Sequence, residues 1–299
     1  MPEPVLRAAT RGSPLALWQA THVAGLLATA APGLTVEVVV VDTEGDQRLD
    51  VPISAIGGKG VFAKEVQTAV LDGRADFAVH SAKDLPAVTV EGLALAAVPE
   101  RGDPRDALVG LRLDQLTAGA TVATGSQRRR VQLRRLRPDL SFVELRGNMA
   151  TRLSKVPDGG SIVVAAAALQ RLGLEQHLCE VLEPHQLVPQ VGQGALAIEC
   201  RADDEPVLGL LGLVEDASSR RRVDAERAFL VELGGDCDLP AGAHATLDGE
   251  GIALSGFLAG SDAVGAPFAA DTVTGTDAER LGIELARRLR DRLAVPSGS

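Results

Sequence analysis

The chain has 299 residues, of which 45% are apolar and only 2% aromatic, and its formal net charge is −10 at pH 7. This length allows two or three domains with separate cores, and the acidic balance argues against a nucleic-acid partner, because phosphate affinity comes largely from excess lysine and arginine. No apolar run has the length of a membrane helix, and residues 1–4 lack the features of a secretion signal, so we expect a soluble, cytoplasmic protein without membrane contact.

The first half of the sequence alternates strands with helices. Ser13 and Pro14 have the character of an N-cap and a first helical residue. The apolar run Leu34–Val41 is typical of a buried parallel strand, and Thr43–Lys59 is predicted to be a mobile loop. In chain order the predicted elements are a strand at Leu6–Ala9, a helix at Leu15–Leu27, a strand at Leu34–Val41, a helix at Val61–Leu71 and a strand at Ala75–His80.

The same alternation restarts near Asp106, and the two series together predict an α/β fold with doubly wound sheets. The second series comprises Thr121–Thr124, an arginine-rich helix, Ser141–Leu145 and Ser161–Ala166. From Asp224 the pattern changes to that of a small α+β domain, an antiparallel sheet covered by helices. Its elements are a helix at Val223–Leu233, alternating segments around Ala243–Leu247, Ile252–Leu258 and Pro267–Val273, and a final amphipathic helix at Asp277–Leu293.

Between Gly125 and Arg152 the chain has eight arginines and no lysine, against only Asp139 and Glu144. Arginine binds carboxylate or phosphate through two parallel hydrogen bonds, so this choice within an acidic protein indicates an anion site. Three of the arginines follow the ends of predicted strands, where open α/β sheets bind ligands, and these are the predicted site: Arg128, Arg129 and Arg146. For the other four near the helix we predict a solvated helix face: Arg130, Arg134, Arg135 and Arg137.

Two more polar clusters follow predicted strands. Lys83 and Asp84 come after the strand Ala75–His80, and such a carboxylate can stabilise a developing cation while the lysine holds an anionic substrate. A polar turn with a surface ion pair explains the same residues equally well. Arg11 and Ser13 lie between a strand and a helix N-terminus, a natural seat for an anion.

The remaining candidates carry weaker signals. Lys59 lies in a glycine-rich segment without the spacing of a phosphate loop, so that segment is predicted to be a hinge with one cation. Neither the histidines nor the cysteines show metal-ligand spacing, and we expect no metal. Cys179 and Cys200 lie in apolar segments and are predicted to be inert core. Cys237 lies in a glycine- and aspartate-rich loop, and its spacing alone does not identify it as catalytic.

Taken together, these segments resemble the porphobilinogen deaminase (hydroxymethylbilane synthase) family. The matching stretches run in family order and cover nearly the full chain. They are ATRGSPLALWQA (9–20), GGKGVFAKE (57–65), ADFAVHSAKDLP (75–86), ERGDPRDAL (100–108), TGSQRRR (124–130), LRGNMATRLSK (145–155), VGQGALAIECR (191–201), AERAFL (225–230) and CDLPAG (237–242).

The resemblance implies a three-domain protein whose first two domains are similar to the halves of a periplasmic binding protein. Domain 1 is expected at residues 1–99 with 195–214, domain 2 at 100–194 and domain 3 at 217–299. The return to domain 1 through Val191–Arg201 is implied by the family alone. A monomer is expected.

The resemblance also implies the chemistry, that of a transferase in tetrapyrrole (haem) biosynthesis. The family carries a dipyrromethane cofactor, self-assembled from substrate and attached through a cysteine thioether, which here matches Cys237. Four porphobilinogen units are added with loss of ammonia, and hydrolysis releases hydroxymethylbilane. Asp84 matches the catalytic aspartate, and Thr43–Lys59, including Lys59, resembles the active-site flap. The residues expected to hold the cofactor are Lys83, Asp84, Thr124, Ser126, Arg128, Arg129 and Arg146, and those expected to hold substrate are Arg11, Ser13, Arg146 and Arg152.

Some positions depart from the family pattern and keep alternatives open. Asp236 stands where many members have glycine, Asp238 where Gln, Ser or His is commoner, and Glu44 at a flap position that is basic in some relatives. A carboxylate beside the thioether could slow cofactor loading. The alternatives are a protein that binds small polyanions without chemistry, and a cofactor-deficient paralogue that binds pyrroles without turnover.

Overall fold

The computed structural model describes residues 5–43, 63–234, 240–261 and 263–294. Contacts within the chain divide it into two units: a first unit of Met1–Gly102 with Ala195–Arg221, and a second unit of Asp103–Gly194 with Arg222–Ser299. Several predicted residues lie outside the described ranges, namely Glu44, Lys59, Asp236, Cys237, Asp238 and all of the predicted loop after Thr43.

The described elements follow the predicted order. The strands are β1 (Val5–Arg11), β2 (Thr35–Val41), β3 (Phe77–Ser81), β4 (Leu93–Ala97), β5 (Asp106–Gly110), β6 (Thr121–Ala123), β7 (Ser141–Val143), β8 (Ser161–Ala165), β9 (Glu180–Leu182), β10 (Leu196–Arg201), β11 (Ala241–Asp248), β12 (Gly251–Ala259) and β13 (Phe268–Gly275). The α-helices are α1 (Pro14–Ala30), α2 (Lys64–Leu71), α3 (Gln127–Leu136), α4 (Met149–Leu153), α5 (Ala166–Arg171), α6 (Glu205–Leu211), α7 (Ala217–Glu232) and α8 (Ala278–Ala294). Short 3₁₀ helices occupy Ala82–Asp84, Glu175–His177 and Gly212–Val214.

In the first unit the described strands form a sheet with the order β2-β1-β3-β10-β4. β1 is parallel to β2 and β3, whereas β10 runs antiparallel between β3 and β4. Apolar clusters cover both faces, one including Val23 and Leu27 of α1 and the other Val66 and Val70 of α2. The segment Val191–Arg201 thus contributes an inner strand to a sheet that is otherwise built from the first hundred residues.

The start of α1 confirms a local prediction, whereas the burial predicted for β2 is wrong. Ser13 caps α1, and its side chain accepts a hydrogen bond from the backbone N–H of Ala16. β2 is parallel as predicted, but it lies at the edge of the sheet, and Val38 and Val40 are exposed by 39% and 54%. An apolar run predicts a strand but cannot distinguish an inner position from an edge, because that depends on the order of pairing.

The second unit contains a second sheet of described strands with the order β7-β6-β8-β5-β9. β6 is parallel to β7 and β8, and β5 is antiparallel to β8 and β9. One face packs Leu133 of α3 against Val122 and Val163, and the other packs Leu169 of α5 against Ile162. Helices therefore cover both faces here as well, which confirms the predicted doubly wound α/β class.

The C-terminal part of the second unit is an antiparallel sheet, β11-β12-β13, with α8 packed against β12 and β13. Gly282 allows α8 to approach α7 closely, since a Cβ there would lie 2.5 Å from the backbone nitrogen of Phe229. Gly256 of β12 likewise leaves room for the side chain of Leu285 in α8, because an added Cβ would lie 2.8 Å from Leu285 Cδ2. The predicted α+β module is confirmed. Within the described residues, no helix combines the length and apolarity needed to cross a membrane.

Candidate functional site

In the first unit the structure brings together four of the predicted site residues. β1 and β3 are parallel neighbours, so their carboxyl ends adjoin at one edge of the sheet. Arg11 ends β1, and the 3₁₀ helix Ala82–Asp84 follows β3. Arg11, Ser13, Lys83 and Asp84 line one cavity of about 70 Å³ at this edge. Two cationic side chains, one hydroxyl and one carboxylate therefore line the same cavity.

The N-terminus of α1 contributes to this cavity. Ser13 Oγ accepts from Ala16 N–H at 3.3 Å, and buried Thr10 donates from Oγ1 to the Ala16 carbonyl at 3.2 Å. These bonds fix the first turn of the helix beside Arg11. The positive end of the 17-residue helix adds to the arginine charge and favours a bound anion.

Sequence reasoning missed two buried residues of the same cavity, Gln19 and His80. Both lie within the stretches that carry the family resemblance, but neither residue type indicated a role. His80 Nε2 is 3.3 Å from Glu199 Oε2, and Glu199 accepts a hydrogen bond from Gln67 Nε2 at 2.8 Å. Pairing across β3 and β10 creates this cluster, so no local spacing in the sequence shows it.

In the second unit the predicted anion-binding arginines converge on a carboxylate that sequence reasoning also missed. Asp106 is fully buried at the start of β5. Arg128 Nη2 donates to Asp106 Oδ2 at 2.7 Å, and Arg129 donates to Oδ1 from Nε at 2.9 Å and from Nη2 at 2.7 Å. Gln193 Nε2 adds a bond to Oδ1 at 3.0 Å. Asp106 is thus held as an anion by two guanidinium groups and an amide.

The ionisation of Asp106 reflects this environment. Burial opposes the charged form, but the charges of Arg128 and Arg129 outweigh burial and lower the pKa of Asp106 from 3.8 to about 2. Burial lowers the pKa of Arg128, yet the group stays charged because arginine titrates far above neutral pH. In the sequence Asp106 marked only the start of the second alternating series, and this does not reveal partners more than twenty residues away.

We therefore expect Asp106 to contribute to stability in a pH-dependent way. Because its folded pKa lies below its unfolded value, its contribution is fully present above pH 3.8 and is lost as the pH falls through 2. The contribution corresponds to about 2 kcal/mol. Urea unfolding of wild type and Asp106→Asn between pH 5 and pH 2 should show a stability difference that shrinks toward the acid end. A difference independent of pH would contradict the assignment.

Arg128 and Arg129 are more enclosed than the sequence indicated. Both are buried, and beyond Asp106 they donate from Nη1 to the carbonyls of Val188 at 2.6 Å and Val163 at 2.8 Å. Within the described residues, the buried Nε of Arg128 has no hydrogen-bond partner.

The predicted polar residues around α3 form its N-terminal cap. Ser126 Oγ accepts from the N–H of Arg129 at 3.4 Å, and buried Thr124 accepts through Oγ1 from the N–H of Ser126 at 3.2 Å. Both residues follow β6 at the carboxyl edge of the sheet. The structure therefore places them beside the arginines, as the sequence predicted.

Arg146 and Arg152 remain partly accessible after β7. The Arg146 side chain is 25% exposed, and its Nε is 3.7 Å from Glu144 Oε1. Arg152 donates from Nε to the Gly147 carbonyl at 2.8 Å. Gly147 has a φ of +115°, so the turn between the two arginines needs a residue without Cβ. Both side chains are partly exposed to solvent.

The predicted solvated helix face is wrong for Arg130 and Arg137. Arg130 donates to the Thr124 carbonyl from Nε at 3.0 Å and Nη2 at 2.8 Å. Arg137 donates to the carbonyls of Leu113 and Leu116 at 2.7 and 2.8 Å. These arginines satisfy backbone carbonyls at loop ends, a role that depends on chain segments folded against the helix.

Arg134 and Arg135 also make specific contacts. The Arg134 guanidinium carbon lies 5.0 Å from the centre of the Phe142 ring, and that of Arg135 lies 4.0 Å from the centre of the Phe268 ring. Cation–π contacts of this kind contribute about 0.5–1 kcal/mol at exposed sites. Of the four arginines predicted to form a solvated helix face, only Arg135 is exposed.

Of the two cysteines predicted to be inert core, one prediction is confirmed and the other is wrong. Cys200 is buried as predicted, and burial raises the pKa of its thiol to about 11, so it is inert at neutral pH. Cys179 is partly exposed, and its Sγ donates to the Gly110 carbonyl at 3.1 Å, so the prediction of an inert core position is wrong for it. It directly precedes the short strand β9, which lies at the edge of the sheet. The described ranges contain no cluster of three or more His, Cys, Asp or Glu side chains suited to a metal.

Comparison with known proteins gives consistent matches. The family model "porphobilinogen deaminase, dipyromethane cofactor binding domain" matches residues 6–209, and the model of the porphobilinogen deaminase C-terminal domain matches 220–291. The porphobilinogen deaminase of Nitratidesulfovibrio vulgaris is 47% identical over 293 residues, covering 94% of this chain and 92% of that protein.

Solved structures show more distant similarity. They include the methionine binding protein MetQ, with 14% identity, a TM-score of 0.45 and coverage of 77% of this chain and 96% of that one. They also include a periplasmic substrate-binding protein of an ABC transporter from Coxiella burnetii, with 16% identity, a TM-score of 0.44 and coverage of 72% and 94%. On its match to both family models and to the close relative, the chain belongs to the porphobilinogen deaminase family, whose members are transferases that polymerise porphobilinogen stepwise on a dipyrromethane cofactor, with loss of ammonia, and release hydroxymethylbilane.

Proposed function

We propose that Asp84 is the catalytic residue of this transferase and that Arg11, Ser13 and Lys83 hold the carboxylates of porphobilinogen beside it. The observation that carries the proposal is the cavity of the first unit, which these four residues line together. Porphobilinogen bears an acetate and a propionate, so a receptor with two cations and a helix N-terminus matches its charge.

Asp84 is suited to the step in which ammonia leaves. The carbon–nitrogen bond of the aminomethyl group breaks, nitrogen keeps the electron pair, and positive charge develops on the pyrrole. A carboxylate fixed near that charge stabilises the transition state more than the ground state. Arg11 and Lys83, by binding the carboxylates of the ring, orient the ring toward Asp84.

For the second unit we propose that the carboxyl edge of its sheet holds the carboxylates of the cofactor. The residues assigned to it are Thr124, Ser126, Arg128, Arg129 and Arg146, and Arg152 is assigned to substrate together with Arg146. Two buried guanidinium groups face the single carboxylate of Asp106, which leaves one positive charge for a ligand. The free Nε of Arg128, described above, fits a carboxylate oxygen. When bound, the dipyrromethane supplies the pyrrole carbon from which the chain grows.

In this arrangement Asp106 has a distinct task. It fixes Arg128 and Arg129 against β5 and prevents them from turning toward solvent. Pre-oriented donors lose less conformational freedom when a ligand binds, so the pair binds more tightly than two mobile arginines would. Asp106 therefore organises the anion site without touching the ligand.

We also propose the three-domain division expected from the family, at 1–99 with 195–214, at 100–194 and at 217–299. The three separate sheets support it, because the described strands of each sheet come from one of these ranges. The contact-based division differs in that it groups the last two ranges in one unit.

A monomer working in the cytoplasm is our further proposal. The two described cysteines, Cys179 and Cys200, are both unpaired, which suits a reducing compartment. Light scattering of the purified protein measures the oligomeric state directly, and a mass of twice the 31.0 kDa of the chain would contradict the monomer.

The attachment of the cofactor to Cys237 is tested by intact mass. We expect the wild-type protein to be heavier than its sequence by two porphobilinogen units less two ammonias. Cys237→Ser should have the bare sequence mass because it lacks the thiol that forms the thioether, while Cys179→Ser serves as the control and keeps the added mass. A Cys237→Ser protein that carries the full addition would refute the assignment, and a bare wild type after incubation with porphobilinogen would implicate Asp236.

A further inference from the structure

Beneath the cavity of the first unit lie two buried titratable residues that the proposed chemistry does not use, His80 and Glu199. His80 is the penultimate residue of β3, and its side chain is only 6% exposed. It lines the same cavity as Asp84. Only three residues separate the two along the chain.

The register of the sheet brings His80 and Glu199 together. In the antiparallel pairing of β10 with β3, Glu199 lies opposite Ala78, so Glu199 and His80 project from the same face two positions apart. His80 Nε2 lies 3.3 Å from Glu199 Oε2 without a hydrogen bond to any described residue, and Glu199 Oε2 accepts a hydrogen bond from Gln67 of α2. Polar side chains thus connect α2, β10 and the wall of the cavity.

Stability alone does not account for this cluster. The same face is otherwise apolar, with Val66, Val70 and Ala78 in its core. Replacing a buried polar pair by well-packed apolar residues is often neutral or stabilising. Beyond the backbone pairing of β3 with β10, the pair adds a side-chain contact at the end of β3, from which the 3₁₀ helix carrying Asp84 begins.

We propose that His80, packed against Glu199, is a positioning residue for Asp84. This inference rests on the catalytic role proposed for Asp84. The contact adds a side-chain restraint to the backbone pairing of β3 with β10, so the turn that follows starts from a more rigid point and the carboxylate keeps its place in the cavity. A misplacement of about 1 Å can lower the rate of a catalysed step by about 100-fold, so a small loss of order here has a large effect.

The test measures kcat, KM, thermal unfolding and cofactor mass on the holoenzyme. We expect His80→Leu to lower kcat by about 10- to 100-fold with KM, unfolding temperature and bound cofactor close to wild type. His80→Gln should recover much of the rate, because its amide keeps a polar N–H group close to Glu199. The control is Val70→Ala, a fully buried residue of the same apolar cluster that does not line the cavity, which should lower the unfolding temperature and leave kcat unchanged.

A wild-type kcat in His80→Leu, or a loss of kcat that is matched by loss of cofactor or of unfolding temperature, would overturn the positioning role. Combination with Asp84→Asn separates this proposal from the proposed function. If His80 acts through Asp84, His80→Leu causes no further loss in the Asp84→Asn background. A fully additive loss contradicts the positioning role alone, whereas an Asp84→Asn enzyme with wild-type kcat contradicts the catalytic role of Asp84 itself.

Discussion

Asp84→Asn is expected to lower kcat by about 100- to 1,000-fold, the usual effect of removing one group that stabilises transition-state charge. The amide has almost the same size as the carboxylate but carries no charge to offset the cation formed as ammonia leaves. Asp84 is half-buried in a short turn, so the substitution leaves the core intact. Hydroxymethylbilane formation measures the rate, and thermal unfolding should match wild type.

The control for this variant is Asp72→Asn in the same unit. Asp72 and its partner Arg74 are more than half exposed and lie at the end of α2, so wild-type kcat is expected there. Cofactor mass should be measured on both variants before the rates are compared, since a protein without cofactor is inactive for another reason. An Asp84→Asn enzyme that is fully loaded and turns over at the wild-type rate would remove Asp84 from the mechanism.

Asp106→Asn is expected to lower the free energy of unfolding by about 2–5 kcal/mol. The lower figure is the free energy of the pKa depression, and the upper one is typical of removing one partner from a buried ion pair. Arg128 and Arg129 would remain buried without a counter-charge, and burial of an unpaired cation costs more than the lost hydrogen bonds. Urea unfolding at pH 7 measures the effect.

Two further variants keep this prediction testable if Asp106→Asn does not fold. The exposed pair of Arg112 and Asp114 is the control, and Asp114→Asn should cost less than about 1 kcal/mol. Replacing Asp106, Arg128 and Arg129 together by leucine, methionine and methionine should recover most of the stability, because no charge is then left unpaired. If the triple variant is no more stable than Asp106→Asn, unpaired charge is not the cause of the loss.

The predictions that succeeded depend on signals within a few residues. Ser13 and Pro14 specify the start of α1 through the chemistry of a helix N-terminus, and the alternation of short segments specifies the antiparallel C-terminal sheet. Likewise, Arg11 and Asp84 were each placed at a strand end, and the parallel pairing of β1 and β3 brings those ends together.

The predictions that failed depend on pairing across the chain. The arginines of α3 were visible in the sequence, but Asp106 lies more than twenty residues before them, and only the order of the strands in the sheet brings them into contact. The exposure of Val38 and Val40 follows from the edge position of β2, which an apolar run cannot reveal. The contact between His80 and Glu199 depends on the register of β10 against β3.

The inner position of β10 also determines the order in which the protein can fold during synthesis. The first four strands leave the ribosome more than ninety residues before β10, which then has to insert between β3 and β4. Until then the nascent chain exposes two unpaired strand edges, and the whole second sheet is synthesised in the meantime. The first unit therefore completes its hydrogen bonding after the second sheet has emerged, and its slow step is expected to be this closure of a long loop.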